Sequence, residues 1–194
     1  MYPETILSPG VELARFSRIL DELGHAGRLD TIRRLGPDQL AALYEAAKGF
    51  RPIGLEHFVP ADVAPATAVV HHGKNSLPLF SDFDKHFARP EGEEGVLVGL
   101  NRQWTTPFTG PGYFVTRPST AEEGAVEFDY TAKPKSKPPA WPEIVGQRGI
   151  GWFVYGGMLD IVRGVSEHVC VARAFRRGKA MDNYFALCRS VVET

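Results

Sequence analysis

Asp160, Arg163, Glu167 and His168 put charge into and beside a stretch that otherwise reads apolar, from Met158 through Ile161 to Val165. Charge held inside a β-structure needs a partner or a task. The task these residue types suit is acid–base chemistry, with Asp160 or His168 as general base and Arg163 or Arg173 clamping an anionic oxygen. The other reading of the same residues is a ladder of salt bridges that fastens the sheet, with Arg173, Arg189 or Asp129 as partners. His71 and His72 close a valine-rich run and precede Gly73 and Lys74. In an extended chain their imidazoles face opposite sides, so only one of them can enter a given pocket. The catalytic candidates are therefore His71, His72, Asp160 and His168. Lys74, Trp104, Tyr113, Tyr130, Arg163, Arg173 and Tyr184 are the candidate ligand contacts, because ligand sites set a few polar groups among aromatic walls.

Other chemistries lack their residues. Adjacent histidines in a strand do not chelate together, and no His-x-His or His-x-x-x-His with a nearby acid completes a shell, so no metal is expected. The stretch Thr109-Gly110-Pro111-Gly112 is not followed by the Lys and Ser or Thr of a phosphate loop and leads into a strand. No Gly-x-Ser-x-Gly elbow occurs, and Cys170 has no basic neighbour to hold a thiolate. No cofactor is called for.

These residues must be positioned by a mainly β (α+β) fold, an antiparallel lipocalin-like barrel preceded by a short helical segment. Ser8-Pro9 is a helix start, Leu13, Phe16, Leu20 and Leu23 form one apolar stripe, and Gly24 ends it. A second helix is expected over Leu29 to Leu35, and a third from Asp38 through Leu40, Leu43, Tyr44 and Ala47 to Gly49. Pro52, Pro60 and Pro65 then favour an extended connector into Thr67 to Val70. The stretch Leu79 to Phe87 fits a short helix. Beyond Gly92 strand follows strand: Gly95 to Gln103, Gly112 to Arg117, Ala125 to Ala132, Gly151 to Tyr155, Met158 to Val165, Glu167 to Phe175 and Met181 to Val191. Within Glu167 to Phe175 one face is bulky and the other small, as in a sheet curving around something. Lys133 to Pro142, with four prolines and three lysines, reads as an exposed loop or a flap over an opening, anchored by Trp141. One domain over residues 1–194 is expected, with a helical segment at 1–49 and the barrel at 67–194.

Composition restricts the partners. The chain is 43% hydrophobic and 23% charged, with a formal net charge of -1, so it should fold and presents no field for nucleic acid or an anionic membrane. No apolar run approaches the roughly 18 to 20 residues that span a bilayer, so membrane insertion is not expected. Two cysteines and no signal peptide point to reduced thiols in a cytoplasmic protein. A homodimer is compatible with the sequence.

Three segments, His71-His72-Gly73-Lys74, Tyr155 with Met158, Asp160 and Arg163, and Tyr184-Phe185-Ala186-Leu187-Cys188-Arg189, resemble lipocalin-like (calycin) barrels. Among these they resemble the bacterial GXWXG-type proteins of unknown function. The nearest counterpart of the namesake motif, Gly149-Ile150-Gly151-Trp152, carries its glycines before the tryptophan. The resemblance implies a small barrel with an apolar interior. It further implies binding of a small hydrophobic metabolite, fatty acid or polyketide-like, or else a cofactor-independent isomerase or cyclase working in the same cavity.

Overall fold

In the computed structural model, which describes residues 13–77, 81–102, 112–144 and 156–191, eight antiparallel strands close into a barrel in simple sequential order. They are β1 (Val69–Asn75), β2 (Asp82–Ala88), β3 (Leu97–Arg102), β4 (Gly112–Pro118), β5 (Val126–Asp129), β6 (Met158–Gly164), β7 (Val169–Arg176) and β8 (Lys179–Arg189). β8 returns to pair with β1, so no strand is left with an open edge. This up-and-down order is that of lipocalin-like barrels, as expected. Ser8-Pro9, Trp104 and the strand expected over 151–155 lie outside the described residues.

One correction concerns β2. The phenylalanines at 80, 83 and 87 suggest helical spacing, yet Asp82–Ala88 is a strand. Phe83, Lys85 and Phe87 fall at a period of two, and pairing on both sides, with β1 and with β3, decides the outcome over local spacing.

Directly opposed residues share a face. The pairs Val69–Phe87, His71–Lys85, Phe87–Gly99, Gly99–Phe114, Thr116–Phe128, Phe128–Asp160, Asp160–Ala174 and Ala172–Phe185 therefore trace the inner wall. Phe58, Phe87, Phe114 and Phe128 meet there with ring centroids 4.9 to 5.5 Å apart. Large rings fit so narrow a space because glycine or small residues face them. A Cβ at Gly99 would stand 2.0 Å from the Phe114 ring, and one at Gly73 2.5 Å from that of Phe83. The small face of β7, Cys170, Ala172 and Ala174, also points inward, as its alternation predicts.

One end of the barrel is closed by the connector from helix to sheet. After a single 3-10 turn (Leu55–His57), Phe58, Val59 and Val63 enter the inner cluster. Arg89 at the end of β2 holds this plug by donating to the carbonyls of Val59, Pro60, Ala61 and Val63.

Three helices, α1 (Leu13–Glu22), α2 (His25–Arg33) and α3 (Pro37–Ala46), cover the outer face of β7 and β8. α3 opens with Pro37 at its first position, and Gln39 accepts from the Gly36 N–H at 2.8 Å, so two demands of a helix start are met locally. Phe16 and Leu20 of α1, Ile32 of α2 and Leu40, Leu43 and Tyr44 of α3 pack on Val169, Val171, Ala186 and Cys188. The proline-rich segment is a strap on the outer wall. Trp141 packs on Ala88, Val98, Leu100 and Tyr113 and anchors the segment there. Among the described residues no helix is long and apolar enough to cross a membrane.

Candidate functional site

Strand parity sorts the predicted residues. Asp160 and Arg163 differ by three positions and face opposite sides of β6, and the other candidates divide in the same way. His71, Tyr130 and Asp160 are inside. His72, Lys74, Tyr113, Arg163, Arg173 and Tyr184 are on the outer wall, and His168 sits in the turn between β6 and β7 at the plugged end.

Inside, Asp160 is joined by a residue that sequence reasoning passed over. Lys85 of β2 lies 2% exposed, with its ammonium 3.8 Å from the Asp160 carboxylate. The ammonium donates to Asn101 of β3 at 2.8 Å and to the Tyr130 hydroxyl just beyond β5, and Tyr130 in turn hydrogen-bonds Asp160. Five aromatic rings, Phe83, Phe114, Phe128, Tyr130 and Phe185, stand with their centroids 4.8 to 5.5 Å from the Lys85 nitrogen. The lysine is thus held by one carboxylate, two neutral oxygens and the negative faces of the rings.

The charges are perturbed as such a place requires. Burial lowers Lys85 to about 8, against the opposing pull of Asp160. Burial raises Asp160 to about 6, with Lys85 and Tyr130 working the other way. Both groups can exchange protons near neutrality, which ordinary lysines and aspartates do not. Asp160 Oδ1 is buried and has no hydrogen-bond partner. A buried oxygen without a hydrogen-bond partner costs stability and calls for an explanation.

His71 is close to this cluster along β1 but turned to the plug. Its Nε2 donates to the Phe58 carbonyl at 3.0 Å, and burial holds the imidazole well below its ordinary value, hence neutral. His72 accepts a different role outside, 2.8 Å from Asp84 and 5.6 Å, ring to ring, from His25 of α2.

The arginines expected to clamp a ligand are mortar between barrel and helices. Arg163 makes a two-pronged contact with Glu122, both at 2.7 Å, donates to the Tyr44 carbonyl at 2.6 Å, and lies 3.8 Å over the Tyr44 ring. Arg173 lies over Tyr184 and meets Glu45 and Asp182. The expected partners of Asp160 and Arg163 are therefore corrected: Lys85 and Glu122 fill those places, not Arg173, Arg189 or Asp129. Asp129 and Glu127 instead pair with Arg117, a short ladder of the kind the sequence suggested. Tyr113 donates to the Pro142 carbonyl and belongs to the outer strap.

Cys170 points inward and Cys188 outward; both are free thiols raised by burial, Cys188 to about 11. Among the described residues no three His, Cys, Asp or Glu side chains converge as metal ligands.

Lys85 was missed because a helical reading of residues 79–87 hides its parity. The signal was present in the alternation of Phe83, Lys85 and Phe87, a lone cation between two aromatics on one face. No protein-family model, curated protein or solved structure matches this chain.

Proposed function

We propose that the barrel binds a small, mainly apolar metabolite, fatty acid or polyketide-like, whose one polar head, a carboxylate or carbonyl oxygen, is met by Lys85, Tyr130 and Asn101. The observation that carries this reading is the Lys85–Asp160 pair inside an aromatic interior. For stability alone such a pair is a poor choice, since apolar residues of similar size do as well or better. A few polar groups within apolar walls are what a ligand site needs to fix orientation. The two free thiols suit a cytoplasmic setting for this role.

Native mass spectrometry of the fresh protein, followed by solvent extraction, gives the first test. Displacement of a fluorescent apolar anion, 1-anilinonaphthalene-8-sulfonate, by oleate and by long-chain ketones gives the second. Oleate should displace the probe from the wild type, with affinity at least tenfold weaker in Lys85→Met. Equal affinity in the two proteins would sink the reading.

A second reading, a cofactor-independent isomerase or cyclase in the same place, is favoured by the unpartnered Oδ1 of Asp160. Asp160 would move the proton and Lys85, in place of Arg163 or Arg173, would hold the developing oxyanion. Asp160→Asn should then keep ligand binding and lose solvent-deuterium exchange at the carbon beside a bound ketone. Exchange retained in that variant would exclude Asp160 as the base.

A further inference from the structure

A second site lies at the plugged end, away from the barrel interior. Here α2, the connector and the end of β8 enclose a pocket of about 200 Å³, lined among others by Arg28, Asp62, His168, Arg189 and Ser190. This is below the roughly 300 to 1,000 Å³ of sites for drug-sized ligands, and suits a small ion.

Its charges are unbalanced. Arg28 is only 7% exposed, its Nε and Nη1 have no acceptor, and no carboxylate lies within ion-pair distance among the described residues. Three other arginines have acids, Arg163 with Glu122, Arg117 with Glu127 and Asp129, and Arg173 with Glu45 and Asp182, and Arg89 spends its donors on four backbone carbonyls, whereas Nε and Nη1 of Arg28 have neither. Arg189 adds a second guanidinium. It spends Nη1 on the His57 carbonyl at 2.6 Å and Nη2 on His168 Nδ1 at 3.0 Å, both neutral acceptors. Burial pulls Arg189 down, Glu167 and more weakly Asp62 act the other way, and the positive charge of Arg28 adds to the lowering. Ser190 gives its hydroxyl proton to the Val70 carbonyl, so its oxygen is not a donor to the pocket. Glu167, on the far side of His168, is 3.7 Å from Nε2, and Asp62 is the one carboxylate in the lining. A buried cation without a counterion is costly, and Arg28 is one, with the half-buried Arg189 facing the same small space.

We propose that this pocket binds a small oxyanion, a phosphate or a carboxylate group, with the guanidinium groups of Arg28 and Arg189 as its counter-charge. It is independent of the barrel reading and stands or falls separately.

The test is thermal unfolding of the full chain with inorganic phosphate or acetate, each against potassium chloride at matched ionic strength, because chloride removes general screening. Phosphate should raise Tm saturably by several degrees over chloride, and Arg28→Met should abolish the rise, while Arg33→Met, an exposed arginine on the same helix, should keep it. A saturable rise with acetate alone would assign the site to carboxylates. Asp62→Asn, which removes the opposing charge from the rim, should tighten the apparent Kd at least threefold and gives a reading even where Arg28→Met does not fold. No saturable rise over chloride with either anion, a rise kept in Arg28→Met, or an unchanged Kd in Asp62→Asn would each overturn the proposal.

Discussion

Replacing Lys85 by methionine leaves the Asp160 carboxylate among phenylalanine rings, and replacing Asp160 by leucine leaves the Lys85 ammonium there. At 3.8 Å the attraction between the two amounts to about 4 kcal/mol at an effective dielectric constant of ~20. Either single change should cost about 3–5 kcal/mol, since it strands a buried charge or forces it to change its proton. The double variant removes both desolvation penalties together with the attraction and should lie within about 1 kcal/mol of the wild type. With a urea slope of about 2 kcal/mol per molar, each single variant lowers the midpoint by roughly 2 M and the double by less than roughly 0.5 M. The pH dependence has a fixed sign. Lys85 sits at about 8 when folded and 10.5 when unfolded, so between these values the unfolded chain holds more protons and stability rises with pH. Asp160 sits at about 6 when folded and 3.8 unfolded, so the folded chain holds the extra proton and this carboxyl favours folding as pH falls from 6 to 4. The pair therefore helps least between pH 6 and 8, and both arms should vanish in the double variant. Urea midpoints from pH 4 to 10 check this. Additive losses in the double variant would refute the argument, because they would mean that the two groups do not feel each other.

Other consequences concern the walls and the plug. His57, lowered to about 3, and His71, held well below its ordinary value by burial, stay neutral while their unfolded counterparts protonate near 6.5. Stability should fall below pH 6.5 by about 1.4 kcal/mol per unit for each, outweighing the one opposing proton of Asp160, and His71→Asn should lessen that slope in urea titrations at pH 5 to 6.5. Gly99→Ala should cost about 1–3 kcal/mol or more by pressing its methyl into the Phe114 ring, seen as a lower Tm with displaced aromatic NMR signals. Arg163→Met should cost about 3 kcal/mol by stranding Glu122 and releasing Tyr44, while leaving 1-anilinonaphthalene-8-sulfonate affinity unchanged, since Arg163 is outside the barrel.

Much of the frame could be read from the chain because its signals are local. The stripe of Phe16 and Leu20, the Gly36–Pro37 start of α3 and the two-residue alternation of β7 each act over a few residues, and tertiary packing leaves them unchanged. β2 was different. Its aromatic spacing suits a helix taken alone, and only hydrogen bonding to β1 and β3 makes it a strand. The site suffered for the same reason. Asp160 could be singled out as a charge in an apolar run, but its partner lies 75 positions earlier on a strand whose register is fixed by its neighbours. Arg163 and Arg173 share β6 and β7 with the inward residues, and nothing in the sequence tells which parity faces the helices until α3 is seated on Val171 and Ala186.

The glycines explain why the polar cluster occupies so aromatic an interior. Phe83 and Phe114 find room among the interior rings because Gly73 and Gly99, which face them, carry no side chains. Lys85 and Asp160 lie fully buried beside those rings, and this burial is what lowers Lys85 and raises Asp160. Were the cluster merely structural, the same glycines and rings would accommodate a leucine and a methionine in its place at no loss. What the lysine and the aspartate add is a proton donor and acceptor close to neutrality, one of whose oxygens has no partner in the protein. A ligand bearing a single polar head would complete that set.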